Sequence, residues 1–209
     1  MDARFILRIG GNIMEIGKEA VDFKEKAYFP ETDEIKEISL KSYRGKWVVL
    51  TFYPGDFTFV CATDIEALMD RYDEFKKVSA EVFAVSTDTV FSHKGWVQVS
   101  PRVSKSKIPM IQDPKKEITT NYGFLNTDTG GARRGLVIID PEGRLQYYAV
   151  FNDGLGKDVG NILFSLKGLK TIHDAKEGAG HICIVPAVSK PTENIKTMDI
   201  DTVKDIGKL

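Results

Sequence analysis

Apolar residues run without a break through Trp47-Val48-Val49-Leu50-Thr51-Phe52, the pattern of a strand buried on both faces. Further on, Ile65, Leu68, Met69, Tyr72 and Phe75 recur at three- and four-residue spacing, which predicts a helix over 64–78. Glu81-Val82-Phe83-Ala84-Val85-Ser86 reads as a second buried strand. Thr87-Asp88 supplies capping side chains for a helix from about Val90 to Val99, stopped before Pro101. A short strand is expected over 108–111, and a short helix over 114–122 with Gly123 as its stop. Arg134–Asp140 and Arg144–Phe151 read as paired strands about the turn Pro141-Glu142-Gly143. A last amphipathic helix over 158–173 gathers Ile162, Leu163, Leu166 and Leu169 on one face.

The two ends are less regular. Residues 1–15 read as an N-terminal extension, 24–38 as an edge hairpin, and 40–46 as a turn ending at Gly45. From Glu177 onward Gly178, Gly180, Pro186 and Pro191 interrupt any regular element, and the tail is too poor in apolar residues to fold alone. The expectation is a domain over 1–176 and an extended C-terminal arm over 177–209. The order strand, helix, strand, helix, strand, strand, helix is that of an α/β, thioredoxin-like fold, a central mixed sheet flanked by helices.

Composition narrows the function classes. The 209 residues are 42% hydrophobic and 28% charged, with a net charge of −1, which suits a globular domain and advertises neither nucleic acid nor an anionic membrane. No apolar run approaches a membrane span, and Phe5-Ile6-Leu7 is too short for a signal-peptide core, so a cytoplasmic protein is expected. Two cysteines do not make a disulfide framework. With no C-x-x-C pair and three scattered histidines, neither a metal site nor a cofactor is expected.

The chemistry then concentrates on Cys61. It falls where the first strand gives way to the first turn of a helix, and the N–H groups of that turn favour a thiolate, the nucleophilic form. Most lone cysteines are simply small buried apolar residues. Here Thr58, one turn earlier, offers a hydroxyl, and Pro54 stiffens the entry. His93, three residues before Trp96 on its helix, reads as a structural residue.

Pro54, Thr58 and Cys61 match the P-x-x-x-T-x-x-C motif of the peroxiredoxins, and the run Phe52-Tyr53-Pro54-Gly55-Asp56-Phe57-Thr58-Phe59-Val60-Cys61 resembles their typical two-cysteine class, which includes the alkyl hydroperoxide reductase peroxidase subunits. The resemblance spans roughly 16–183, with 16–23 similar to the family's opening strand. Ala62 replaces a usual Pro and Asp64 a usual Glu. What the resemblance implies is a thiol peroxidase acting on hydrogen peroxide and alkyl hydroperoxides. The Cys61 thiolate would attack the terminal peroxide oxygen and become a sulfenic acid. Arg134, in Arg134-Gly135-Leu136-Val137-Ile138-Ile139-Asp140, matches the strand that carries the active-site arginine, whereas Arg133 reads as a surface residue. Asp64 stands where the family's Glu orients that arginine, with a shorter reach. Lys157 stands where many members have a second arginine, and at most a weaker electrostatic role is expected of it.

Cys183, in Ile182-Cys183-Ile184-Val185-Pro186-Ala187, resembles the resolving cysteine, with two residues inserted into the usual V-C-P-A. Read alone, a cysteine on such an arm is a spare thiol. In the typical class the resolving cysteine comes from the other subunit, which implies a homodimer, and such dimers often form decamers. The reductant would be a thioredoxin-like protein or a flavoprotein. A non-enzymatic alternative is a redox-sensing holdase chaperone or ring-forming structural protein on the same fold.

Overall fold

In a computed structural model, the structure describes residues 7–9, 12–175, 182–186 and 195–199, with side chains described over 14–175. The chain falls into two compact units, Met1–Lys157 and Asp158–Leu209. In the first unit the strands β1 (Leu7–Ile9) and β2 (Asn12–Met14) form a small antiparallel pair. There follow β3 (Lys24–Phe29), β4 (Glu34–Ser39), a 3-10 turn over Leu40–Tyr43 and β5 (Trp47–Phe52). The helices α1 (Phe59–Asp70) and α2 (Tyr72–Lys77) lead to β6 (Ala80–Ser86) and α3 (Val90–Val99). Then come β7 (Met110–Gln112), α4 (Glu117–Asn121), β8 (Gly135–Ile139) and β9 (Leu145–Val150). The second unit holds α5 (Val159–Asp174) and the strands β10 (Ile182–Pro186) and β11 (Ile195–Asp199). No helix among the described residues is long and apolar enough to cross a membrane.

Seven strands make one mixed sheet in the order β4-β3-β7-β6-β5-β8-β9. β5, β6 and β7 run parallel, joined by helical crossovers. β3 and β8 flank them antiparallel, and β4 and β9 pair antiparallel at the two edges. α2 packs on β6, and α3 lies over β3 and β7. All six residues of β5 are buried, which is why its pattern is continuous rather than alternating. Val48, Leu50 and Phe52 share a core with Phe83, Val85, Ile111, Phe124 and Val137. β5 thus ends deep in the molecule, and the chain beyond Phe52 starts from a rigid support.

Some local expectations change. The predicted single helix over 64–78 begins earlier, at Phe59, and breaks at Arg71, whose φ of −113° and ψ of 14° leave the helical region. The segment 16–23 forms no strand; it makes only an isolated bridge between Glu19 and Arg144. Backbone bonds from Gly17 and Ala20 to the carbonyls of Leu145 and Gly143 tie it down instead. Residues 182–186 pair antiparallel with 195–199, so Pro186 ends a strand rather than interrupting one. A proline is tolerated at a strand end because no donor is required there.

Candidate active site

The site is built on residues 53–61, which carry the chain from the end of β5 into the first turn of α1. Phe57 takes a left-handed backbone, φ 58°, which swings the chain from strand to helix direction. Its ring lies 6.3 Å from that of Trp96 on α3. Thr58 is the N-cap of α1 and its side chain makes no capping bond; the hydroxyl donates instead to the Gly55 carbonyl at 3.1 Å. The first backbone bond of the helix is Ala62 N–H to Thr58 C=O. Phe59, Val60 and Cys61 therefore occupy the turn whose N–H groups have no partner within a helix.

A buried polar cluster holds this loop from behind. Asp56 accepts from the Tyr53 hydroxyl at 2.7 Å, and its other oxygen lies 2.9 Å from Nδ1 of His93. Nε2 of His93 lies 3.3 Å from the Ile111 carbonyl. The Asp56 N–H donates to Asp88 at 2.9 Å. Burial above all, and Asp56 next, push the Tyr53 phenol well above its ordinary pKa, so its proton stays in place. His93 is thus the structural residue its spacing suggested, and it pins the loop through Asp56. The His93→Ala protein is expected to lose about 3 kcal/mol of stability, because the change empties a buried ring site and leaves Oδ2 of the buried Asp56 carboxylate without its imidazole partner. A urea-unfolding midpoint equal to the parent's would contradict this.

Cys61 is fully buried in side-chain terms yet borders a cavity of about 460 Å³. Pro54, Thr58, Cys61 and Arg134 all line that cavity, so four of the five site residues expected from sequence meet at one place. The fifth, Cys183, sits at the second position of β10, opposite Met198; its side chain lies outside the described residues. Phe59, Val60 and Ala132 give the cavity apolar wall, and Asn126, Thr129 and Asp153 give polar wall. Asn126, Thr129 and Ala132 were not singled out from sequence, because the loop over 125–133 shows no hydrophobic period.

Arg134 immediately precedes β8 and is 3% exposed, whereas Arg133 is exposed to solvent. Each nitrogen of the Arg134 fork has a partner. Nε donates to the Asp153 carbonyl at 2.7 Å, Nη1 to Asp64 Oδ2 at 2.8 Å, and Nη2 approaches Cys61 Sγ at 3.5 Å. Asp64, one turn after Cys61 on α1, does reach the arginine despite its shorter side chain. It also accepts from the Lys157 backbone N–H at 3.0 Å and from Lys157 Nζ at 2.9 Å. A methyl group on Gly156 would lie 3.0 Å from Asp64 Oδ1, so the glycine permits this close backbone approach. Lys157 is buried in this cluster rather than standing off at the surface. Burial, foremost, and then the Arg134 charge lower its pKa below the usual lysine value, against the opposing pull of Asp64 and Cys61.

The arrangement is a thiol in the first turn of a helix, with a fixed guanidinium at its sulfur and an open cavity beside it. Residues 16–148 match the AhpC/TSA family model. The chain is similar to alkyl hydroperoxide reductase C of Staphylococcus aureus, 39% identical over 183 residues that cover 88% of this chain and 93% of that protein. Among solved structures it resembles the reduced 2-Cys peroxiredoxin of Plasmodium vivax, with a TM-score of 0.76 and 30% identity over 88% of this chain and 92% of that one. It also resembles Enterococcus faecalis AhpC, with a TM-score of 0.74 and 28% identity over 79% of this chain and 98% of that one.

Proposed function

This chain belongs to the AhpC/TSA family and is a thiol-dependent peroxidase of the peroxiredoxin type, and on that premise we propose that Cys61 is its peroxide-reducing nucleophile. The observation that carries the assignment is the 3.5 Å approach of the Arg134 guanidinium to Cys61 Sγ at the wall of the cavity. A thiolate there attacks the terminal oxygen of ROOH; the O–O bond breaks, an S–O bond forms, and the departing RO⁻ takes a proton to leave as ROH. Charge moves from sulfur to the leaving oxygen, so fixed donors at the sulfur act on the whole reaction coordinate. Arg134 supplies one, the first-turn N–H groups of α1 supply others, and Asp64 holds the arginine in register. Pro54 and Phe59 line the approach to the sulfur. The cavity has room for more than hydrogen peroxide, which supports alkyl hydroperoxides as substrates as well.

Cys183 completes the cycle as the resolving thiol. Its sulfur attacks the Cys61 sulfenic acid, forming a disulfide and releasing water. The arm over 177–209 of one protomer delivers Cys183 to Cys61 of the partner subunit, which makes the working unit a homodimer, and dimers assemble further into decamers in the manner of the two-cysteine class. A thioredoxin-like protein or a flavoprotein then reduces the disulfide in the cytoplasm. A redox-sensing holdase or structural ring would need no cavity beside the sulfur, and the relatives favour catalysis.

Peroxide consumption by the purified protein with a thiol reductant tests the assignment, and absence of turnover would overturn it. The Cys183→Ser protein is expected to reduce one equivalent of peroxide and stop at the sulfenic acid. On non-reducing gels the parent forms a covalent dimer after one equivalent and the variant does not. A monomeric band from the oxidised parent would remove the intersubunit bridge.

A further inference from the structure

Asp64 is one carboxylate facing two buried cations, Arg134 and Lys157, both on its Oδ2 atom. The three side chains are nearly inaccessible, with Lys157 1% and Asp64 4% exposed. Arg134 keeps its charge at any working pH. With Lys157 protonated, the three groups carry a surplus of one positive charge, and the anion that balances it is the Cys61 thiolate at Arg134 Nη2. The resting cluster is then neutral. Oxidation of the thiolate to a neutral sulfenic acid removes one of its two anions.

We infer that Lys157 releases its proton when Cys61 is oxidised, so that the buried cluster stays neutral through the chemical step. This rests on Cys61 being the peroxide-reducing thiolate. The step balances as Cys61-S⁻ + Lys157-NH3⁺ + ROOH giving Cys61-SOH + Lys157-NH2 + ROH. Sulfur loses two electrons, the O–O bond accepts them, and the proton required by RO⁻ is matched by the one lysine gives up. Lys157 does not line the cavity. It is therefore a positioning residue that acts on the reacting sulfur through Asp64 and Arg134, not a group that touches peroxide.

The electrostatics of the site agree with this coupling. The groups facing Lys157 are Asp64 and Cys61 from α1, which favour its charge, and Arg134 at the start of β8, which opposes it, as does burial. Removing the Cys61 charge leaves Asp64 alone against two opposing influences. Lysine, unlike arginine, can respond by losing a proton within an accessible pH range. The reciprocal holds by linkage: while it is protonated, Lys157 favours the thiolate.

Proton stoichiometry tests the inference. In the Cys183→Ser protein, which stops at the sulfenic acid, proton uptake from weakly buffered solution is followed with an indicator dye. Sulfenic acid is quantified in parallel after one equivalent of hydrogen peroxide near neutral pH. The protein with Lys157 is expected to take up almost no protons, because the lysine supplies the one required. With Lys157→Arg added, uptake is expected to rise to about one proton per Cys61 oxidised. Should the arginine variant not fold, Lys157→Met, which also has no proton to release, serves as the comparison at a pH where thiolate-selective alkylation shows its Cys61 to be ionised. Uptake of one proton in the protein with Lys157 overturns the inference without any variant. Zero uptake in every protein also overturns it, since that is the signature of a thiol reactant or a sulfenate product. Failure to form any sulfenic acid removes the Cys61 assignment itself, and is read on a different channel.

Discussion

The Cys61→Ser protein is expected to fold normally and to turn over no peroxide, with a loss of about four orders of magnitude or more in rate. Serine is close to cysteine in size, and the site is fully buried within α1, so packing around Ile65 and Leu68 is retained. The chemistry is not retained. A serine hydroxyl keeps its proton at neutral pH, and the Arg134 guanidinium at this position then faces a neutral oxygen rather than a thiolate. Peroxide consumption under saturating reductant, with circular dichroism to verify folding, measures the effect. Residual turnover within tenfold of the parent would show that the nucleophile lies elsewhere.

Arg134→Ala is expected to slow peroxide attack by about two to three orders of magnitude. Three contacts vanish together: the Asp153 carbonyl at Nε, Asp64 at Nη1 and the sulfur at Nη2. The loss falls on the transition state, where charge passes from sulfur to oxygen and the fork no longer follows it. Alkylation of Cys61 at neutral pH should slow as well, because the thiolate loses its adjacent cation. Arg133→Ala is the control, being one residue away and exposed, and its rate should stay close to that of the parent. A larger loss in the Arg133 variant would show that the active-site role belongs to Arg133 instead.

The two substitutions probe opposite ends of one contact, so their effects should not add. Once the nucleophile is absent the arginine has nothing to stabilise, and the double variant should match Cys61→Ser alone.

Sequence alone determined the parts of this protein that repeat a period or a spacing. The unbroken apolar run of β5, the buried strand β6 and the start of α3 near Val90 follow from local chemistry, burial on both faces for the strands and a polar cap for the helix, although the capping side chain is Thr89, which accepts from Ser92 N–H, and not the expected Thr87-Asp88. The P-x-x-x-T-x-x-C spacing located Pro54, Thr58 and Cys61, because all three lie on one continuous stretch whose geometry is set by a strand-to-helix turn. Tertiary structure decided what depends on groups far apart in the chain. That Asp64 reaches Arg134 could not be judged from its side-chain length, because the distance depends on how α1 lies against the start of β8. That Lys157 is a buried partner rather than a distant charge depends on the close backbone approach that Gly156 permits. The segment 16–23 has the residues of a strand, yet what holds it is a single bridge at Arg144 and the bonds from Gly17 and Ala20 to the carbonyls of Leu145 and Gly143, contacts made with residues far along the chain. Charge balance in a low-dielectric cluster is a property of assembled neighbours, and no single stretch of the chain contains it.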